Sequence, residues 1–251
     1  MRELKYPKIE TLFNRNKDTF KVIEGEFRCP EFKQIREWEV SEKIHGMNIR
    51  VIYEPVTEIT GLIGISTMHE VVGRAVRFAG RTNKAQVPKH LLEHLQETFT
   101  MEVMKRGFPD IDDLSMKKII LYGEGYGYKI NNGGHYLSGD NVNFRVFDIF
   151  IEDHENPLGG WWLESEDMIE ICNRLGVETV PILGICKIPL IIGLVKQGCP
   201  HSSWIQYEEN DDRTIPMFSE GLVARSKPLM FTREGKRVMF KLKVKDFNLS
   251  E

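Results

Sequence analysis

Apolar and polar residues alternate over several stretches of the chain, and this pattern predicts β-strands. Trp38 and Val40 begin an alternation that ends at Lys43, and a second one restarts at Ile49 and continues to Tyr53. A period of two is typical of a strand with one buried face. Residues 119–122 and 144–151 are nearly continuous apolar runs and indicate buried strands, while the glycine- and threonine-rich residues 57–80 favour hairpins.

Helical spacing is restricted to three segments. Pro88 is predicted to start a helix whose apolar positions are Leu91, Leu95, Phe99 and Val103, and Gly107 and Pro109 are predicted to end it. Ser165 is predicted to cap a second helix, with Met168, Ile169, Cys172 and Leu175 on its apolar face and Gly176 after its end. A short helix is predicted over residues 190–196, and residues 208–213 are predicted to form a charged loop.

The last two predicted strands divide apolar from polar residues. In residues 219–225 the alternation places Glu220 on the face of Leu222 and Ala224, and in residues 237–245 it separates Lys241, Lys243 and Lys245 from the apolar face. Side chains two residues apart on a strand are ~7 Å apart. Lys241 and Lys243 could therefore bind neighbouring oxygens of one polyphosphate, although a solvated lysine face gives the same pattern.

Composition restricts the class of protein. The chain has 251 residues, 41% hydrophobic and 28% charged, so it is long enough for a substantial core. It contains no apolar run of membrane-spanning length and no signal peptide, and its four cysteines form no metal or disulfide pattern. We therefore expect a reduced, cytoplasmic protein that makes no membrane contact.

Positive charge is concentrated in two clusters, although the formal net charge is −3. Residues 225–245 contain eight basic residues and one acid, and residues 74–89 contain five basic residues and no acid. The net charge argues against general polyanion binding. The clusters suggest focused phosphate sites, and the alternative is two solvated surfaces.

Lys43 is the candidate nucleophile. It ends the first alternation, and Gly46 and a new strand follow it. A lysine can attack an electrophilic phosphorus and form a covalent intermediate once it loses its proton. The alternative interpretation is an exposed lysine at a strand end, followed by a turn glycine.

Two acids after buried strands are further candidates. Glu124 lies in residues 123–127, a glycine-rich segment whose spacing differs from that of a dinucleotide fingerprint. Asp148 is flanked by apolar residues within a predicted central strand. Burying an unpaired carboxylate is costly, so we expect Asp148 to meet a cation, a metal or a ligand hydroxyl.

The order of these features resembles the covalent nucleotidyltransferase superfamily of ATP-dependent ligases and capping enzymes. The features are Lys43 with Gly46, the basic turn at residues 80–84 with Arg81, Glu124, Phe147 with Asp148, Glu220 with Gly221, and Lys241 with Lys243. The resemblance is greatest to RNA ligases of the nick-sealing and RNA-editing type, and it runs from Tyr6 to Phe247. His45, where DNA ligases and capping enzymes usually carry aspartate, points to the RNA branch.

The resemblance implies a fold. It is an α+β nucleotidyltransferase domain of the ATP-grasp-like ligase type, with mainly antiparallel sheets and flanking helices around an ATP cleft. We expect residues 1–251 to form this single domain without an appended C-terminal domain. RNA affinity would then come from the two basic clusters, from residues 152–215 or from a partner, and fast sealing of single strands is less expected than self-adenylation.

The resemblance also implies a reaction and its residues. Lys43 would take AMP from ATP, the AMP would pass to an RNA 5′-phosphate, and a 3′-hydroxyl would displace it. Lys241 and Lys243 would bind the α-phosphate, Arg81 the ribose or an RNA phosphate, Phe147 would stack on adenine, and Asp148 would support the RNA-joining steps. Glu220 and Glu124 would hold Mg²⁺ or Mn²⁺, with ribose binding as the alternative for Glu124. The remaining nucleotide-binding residues would be Glu42, Ile44, His45, Gly46 and Asn48.

The expected substrate is RNA with 5′-phosphate and 3′-hydroxyl ends, which an end-healing kinase or phosphatase partner could prepare. Two alternatives remain at this point. One is a DNA ligase or capping-type enzyme of the same superfamily, which the nucleotide trapped on Lys43 would reveal. The other is a non-catalytic module that binds nucleic-acid ends.

Overall fold

The computed structural model describes residues 4–63, 66–113, 115–131, 136–153, 159–199 and 219–247. Its internal contacts divide the chain into two units. Unit 1 comprises Met1–Tyr6, Gly46–Gly134 and Gly139–Thr179. Unit 2 comprises Pro7–His45, His135–Ser138 and Val180–Glu251. The predicted loop at residues 208–213 lies outside the described residues.

The described elements follow in chain order. The strands are β1 (Phe13–Arg15), β2 (Val22–Phe27), β3 (Trp38–Lys43), β4 (Met47–Ile63), β5 (Ser66–Gly80), β6 (Lys118–Gly127), β7 (Val142–Glu152), β8 (Gly160–Trp162), β9 (Glu178–Thr179), β10 (Ile182–Cys186), β11 (Gly221–Ser226) and β12 (Met239–Lys243). The helices are α1 (Lys89–Thr98), α2 (Met101–Gly107), α3 (Ser165–Leu175) and α4 (Ile188–Lys196). Short 3-10 helices cover Pro30–Gln34 and Val244–Phe247.

Unit 1 is built on a sheet with strand order β5-β4-β6-β7-β8, in which β9 pairs parallel with β7 and the other pairs are antiparallel. Apolar residues of β4, β6 and β7 form one buried cluster with the apolar faces of α1, α2 and α3. The segment predicted to contain hairpins forms one long antiparallel pair, since β4 and β5 are joined along their length.

The helix predicted from Pro88 to Gly107 is divided in two. Phe99 ends α1 with a non-helical backbone, and the Thr100 side chain then caps α2 by accepting a hydrogen bond from the Val103 amide at 3.3 Å. A threonine at this position satisfies an amide that would otherwise lack a partner at the start of a helix. The predicted apolar positions were correct, but the break between the two helices at Phe99 and Thr100 was not predicted.

The helix predicted after Ser165 is present as α3, and Gly176 follows its last residue with a left-handed φ of 75°. Two details of the prediction were wrong. The capping position is Glu164 rather than Ser165, and Ile169 is exposed while Ile171 occupies the buried face. The short helix predicted over residues 190–196 begins two residues earlier, at Ile188.

Unit 2 contains an antiparallel sheet with strand order β10-β3-β11-β12, together with the separate β1–β2 pair. One face of the sheet is apolar and packs with α4 in a buried cluster. The face contributes Trp38, Val40, Leu222, Ala224, Phe240 and Leu242. The last strand ends at Lys243 rather than at the predicted Lys245, because Val244–Phe247 turns into a 3-10 helix.

The predicted α+β fold with mainly antiparallel sheets and flanking helices is confirmed. No helix in the described part of the chain combines the length and the apolar character that crossing a membrane requires.

Candidate active site

The lysines of unit 2 are positioned by strand register. Lys43, the last residue of β3, pairs with Gly221 of β11, and Gly221 pairs in turn with Lys243 of β12. Residues that are paired across neighbouring strands project from the same face of a sheet. Lys43 and Lys243 therefore extend from the face opposite the apolar cluster, on either side of a residue that has no side chain.

The Glu220 carboxylate joins these two lysines. One of its oxygens accepts from Lys43 Nζ and the other from Lys243 Nζ. The Glu220 side chain is only 9% exposed, and those of the lysines are 22% and 21% exposed. Burial raises the pKa of the Glu220 carboxyl, but the charges and hydrogen bonds of the two lysines outweigh burial and hold this pKa below its ordinary value. The carboxylate is thus ionised and shared by two ammonium groups.

Gly221 explains how Glu220 reaches the lysines. The alternation predicted Glu220 on the apolar face with Leu222 and Ala224, and this prediction was wrong. Gly221 has a φ of +153°, and a Cβ at this position would lie 2.1 Å from the Leu242 carbonyl oxygen. Only glycine adopts this conformation readily. This break in the regular strand geometry lets the Glu220 side chain reach the opposite face of the sheet, where it contacts Lys43 and Lys243.

Lys241 lies one row further along the same face, where it pairs with Val223, which in turn pairs with Ser41. Burial lowers the pKa of Lys241, and the charges of Lys243 and Lys43 lower it further. Thr11 forms an isolated backbone β-bridge with Lys241, and its side-chain hydroxyl is buried and has no hydrogen-bond partner among the described residues. Sequence reasoning missed Thr11 because it belongs to no periodic segment.

The segment after Lys43 is held by Tyr136. The His45 amide donates to the Tyr136 hydroxyl at 3.1 Å. Burial lowers the pKa of His45 more than the nearby Glu220 raises it, so His45 is neutral near pH 7, and burial raises the pKa of Tyr136. The side chains of Glu42 and Ile44 are buried, and the Glu42 amide donates to the Pro181 carbonyl at 2.9 Å. Tyr136 was also missed, because it lies in a glycine- and asparagine-rich stretch without a pattern.

In unit 1, Gly46 allows a close approach of two strands. A Cβ at Gly46 would lie 2.2 Å from the Gly125 carbonyl oxygen and 3.1 Å from Glu124 Cγ. The next strand places Asn48 directly opposite Glu124. The Asn48 side-chain oxygen is buried, and no described residue forms a hydrogen bond with it. An orphaned polar atom beside a carboxylate is suited to a polar ligand.

A β-bulge positions the two candidate residues of β7. Tyr122 pairs with Asp148 and the following Gly123 pairs with Val146, so Phe147 is the extra residue of the bulge. Bulges change the direction of side chains and are common beside active sites. Phe147 is half-buried, while Asp148 is only 1% exposed.

The buried carboxylate of Asp148 accepts a hydrogen bond from the Tyr6 hydroxyl at 2.7 Å. We expected a cation, a metal or a ligand hydroxyl as its partner, and the chain itself supplies a phenol. The Tyr6 ring also contacts Phe147 edge-on, at 4.9 Å between centroids. Arg81, by contrast, is exposed directly after β5.

The two basic clusters are less exposed than the sequence suggested. Arg74 is 9% exposed and donates hydrogen bonds to the backbone carbonyls of residues 53, 115 and 117, and Arg77 pairs with Glu54 at 2.8 Å. Arg225 is 5% exposed and lies 3.4 Å from Glu39. These arginines form structural contacts, so fewer cations remain for the predicted phosphate sites.

Within the described residues, no group of three or more His, Cys, Asp or Glu side chains forms a metal site. This does not conflict with a magnesium site, since Mg²⁺ is usually bound by one or two carboxylates with water and substrate phosphates. Glu220 fits this pattern as a buried, ionised carboxylate next to cations that could bind phosphate.

Comparison with known proteins identifies relatives. The family model described as RNA ligase matches residues 36–243. Among solved structures, a Naegleria gruberi RNA ligase with PPi has a TM-score of 0.52 at 17% identity, covering 95% of this chain and 61% of that chain. Its K326A mutant with ATP and Mn has a TM-score of 0.52 at 15% identity, covering 97% of this chain and 63% of that chain.

An archaeal ATP-dependent RNA ligase has a TM-score of 0.48 at 17% identity, covering 97% of this chain and 49% of that chain. The chain thus spans about half to three-fifths of the length of these ligases. Comparison with curated protein sequences gives no match.

Proposed function

The chain belongs to the RNA ligase family, and we propose that it is an ATP-dependent RNA ligase that carries AMP on Lys43 before it joins a 5′-phosphate to a 3′-hydroxyl. The observation that carries this proposal is the cluster in which Lys43 and Lys243 bind the two oxygens of the buried Glu220, with Lys241 one row away. It combines a nucleophile, phosphate-binding cations and a carboxylate in a space that strand register fixes.

In the first step, the Lys43 nitrogen attacks the α-phosphorus of ATP. The new nitrogen–phosphorus bond forms as the bond to pyrophosphate breaks, and the departing pyrophosphate takes the electron pair. Lys43 must first give up a proton, which we propose passes to water once the triphosphate takes the place of Glu220 beside the lysines. The charges of Lys243 and Lys241 then disfavour a further positive charge on Lys43, and the same cations stabilise the charge that builds on the α-phosphate.

Glu220 is the carboxylate we propose for Mg²⁺ or Mn²⁺, with Glu124 as a second candidate for the metal or for the ribose. A bound divalent cation would supply charge neutralisation at the phosphates. A Naegleria gruberi RNA ligase of similar fold was solved with ATP and Mn, which supports ATP and a divalent cation as the ligands.

Unit 1 contributes the residues we propose for nucleotide and RNA recognition. The orphaned Asn48 oxygen can accept from a ligand donor, and the half-buried Phe147 ring can stack on a base. Arg81 is free to bind the ribose or an RNA phosphate because it is exposed. We propose that Gly46 lets the chain pass closely by Glu124, and that His45, Ile44 and Glu42 hold Lys43 in place from its flanks.

In the later steps, AMP moves from Lys43 to the RNA 5′-phosphate, and the 3′-hydroxyl attacks that phosphate and releases AMP. We propose that Asp148 supports these steps. Ends that lack a 5′-phosphate would have to be phosphorylated by a kinase before this enzyme acts on them.

The first test is incubation with α-labelled ATP, GTP or NAD and Mg²⁺, followed by denaturing electrophoresis. We expect label from ATP on the wild-type chain and none on Lys43→Ala, while Lys236→Ala, which removes an exposed lysine from the same unit, keeps the label. Label from GTP alone would instead identify capping chemistry. Binding of RNA ends without any label would identify the non-catalytic module.

The second test separates the stages of the reaction. Asp148→Asn preserves the shape of the side chain and its ability to accept from Tyr6, but it removes the charge. We expect this variant to form the lysine–AMP adduct and to seal RNA poorly. An equal loss of both steps would show that Asp148 acts already on ATP.

A further inference from the structure

Unit 2 contains a cavity that the residues above do not use. Its volume is about 530 Å³, and its lining includes Phe27, Lys33, Ile35, Arg36, Lys187 and Ile188. The sequence pattern did not indicate this cavity, because its residues come from β2, from the segment before β3 and from the start of α4. The two isoleucines pack against the apolar cluster of unit 2, so the apolar wall belongs to the folded core.

Positive charge dominates the polar part of this lining. Lys33, Arg36 and Lys187 are all exposed, and in the described part of the chain none of them forms an ion pair with a carboxylate. Lys33 Nζ lies 4.5 Å from the centre of the Phe27 ring, which is an attractive but weak cation–π contact. Three uncompensated cations around one cavity favour an anionic ligand.

Strand geometry gives the separation between this cavity and Lys43. Lys187 directly follows Cys186, which pairs with Trp38, the first residue of β3, and Lys43 is the last residue of that strand. The six residues of β3 span about 17 Å from first to last at ~3.4 Å per residue. The cavity therefore lies at the opposite end of β3 from the proposed nucleophile. A stacked nucleic-acid strand advances 3.4 Å per nucleotide, so roughly five nucleotides bridge this span.

We propose that this cavity binds backbone phosphates of the RNA substrate at a distance from the end that Lys43 adenylates. The inference rests on the proposed function for the identity of the polymer. A positively charged groove that includes an aromatic ring is the combination that single-strand-binding proteins use for backbone and base. RNA binding requires cations outside the predicted basic clusters, because Arg74 and Arg225 of those clusters are buried in structural contacts.

The test compares charge reversal in the cavity with the same reversal elsewhere in unit 2. The cavity variant is Lys33→Glu, Arg36→Glu and Lys187→Glu. The control variant is Lys17→Glu, Lys21→Glu and Lys236→Glu, which changes the net charge equally at exposed positions outside the cavity. Thermal melting checks that both variants fold, and a second cavity variant with glutamine at the three positions removes charge without reversing it.

Fluorescence anisotropy measures binding of 5′-phosphorylated RNA of about twelve nucleotides and of about three nucleotides, since only the longer RNA can span the roughly five required. We expect the cavity variant to bind the longer RNA about tenfold or more weakly, with no change for the shorter RNA. Binding of the longer RNA should also depend less on salt. The slope of log K against log salt should become shallower by about 2, because each of the three lost phosphate contacts on a single strand removes ~0.7.

Two results would overturn the proposal: unchanged binding of the longer RNA by the cavity variant, or an equal loss in the control variant, which would reveal only general electrostatics. An acidic protein as the true ligand would also appear as unchanged RNA binding. The label from ATP on Lys43 is measured in parallel. Loss of RNA binding with retained labelling supports the proposal that the cavity binds RNA. RNA binding that depends on the cavity, in a protein that ATP does not label, would refute the ligase reaction but not RNA binding at the cavity.

Discussion

Replacing Glu220 with glutamine should destabilise the fold strongly, because it leaves Lys43 and Lys243 facing each other without a counter-charge. Removing one partner of a buried ion pair costs ~3–5 kcal/mol. The two lysine side chains are about one-fifth exposed, so water screens part of the repulsion and the lower end, ~3 kcal/mol, applies. For a chain of this size a loss of 1 kcal/mol lowers the melting temperature by about 2–4 °C, which gives about 6–12 °C.

The assay is thermal unfolding at pH 7, with Glu10→Gln as the matched control. Glu10 is also paired with two cations of unit 2, Lys8 at 2.9 Å and Arg28 at 3.3 Å, but its side chain is 41% exposed. Exposed ion pairs contribute ~0–1 kcal/mol, so this control should shift the melting temperature by a few degrees at most. Equal shifts in the two variants would refute the reasoning that burial makes the Glu220 cluster different.

The pH dependence gives an independent check with a definite sign. The folded protein holds the pKa of Glu220 below its ordinary value of 4.5. The carboxylate's contribution is therefore complete above about pH 4.5 and is lost as the pH falls through the lower pKa of the folded state. The difference between wild type and Glu220→Gln should be greatest near neutral pH and shrink in acid. A difference that grows in acid would mean that the lysines do not stabilise the ionised form.

Three other substitutions test separate parts of the structure. Tyr6→Phe removes the hydrogen bond to buried Asp148 and should cost ~1–3 kcal/mol in a urea titration, while slowing RNA sealing more than labelling by ATP; equal slowing would contradict this role. Tyr136→Phe removes the acceptor for the His45 amide, two residues after the proposed nucleophile, and should slow labelling by ATP; an unchanged labelling rate would exclude Tyr136 as a positioning residue. Gly221→Ala forces a Cβ to 2.1 Å from a carbonyl oxygen and should abolish labelling, whereas Gly193→Ala, with open space around it, should not.

Local sequence patterns predicted the strands that carry the site. Alternation located β3 and β12, and it placed Lys43 at a strand end and Lys243 on the polar face of the last strand, because the period of side chains along a strand depends only on local geometry. The same rule failed at Glu220, and it did not indicate the bulge at Phe147. In both places one residue departs from regular strand conformation, Gly221 through its positive φ and Phe147 through a bulge.

Contacts between distant parts of the chain could not be predicted from a single sequence. Tyr6 binds Asp148 across 142 positions, and Tyr136 binds the His45 amide across 91. Neither tyrosine belongs to a periodic segment, so nothing local indicated a partner. The prediction of two exposed basic clusters was partly wrong for a related reason. Counting charges does not distinguish an exposed arginine from one that, like Arg74, is buried against backbone carbonyls.

The strand register explains how this sheet holds Lys43, the proposed nucleophile, beside Lys243, with Gly221 between them. A shift of one residue in register would turn both lysines into the apolar cluster, so the packing of Leu222 and Leu242 also fixes the lysines on the other face. Gly221 leaves the space between them open, and Glu220 fills that space with one negative charge for two positive ones. With Lys241 nearby, the cluster retains a net positive charge, and a polyphosphate is the kind of ligand that would both satisfy that charge and compete with Glu220 for the lysines.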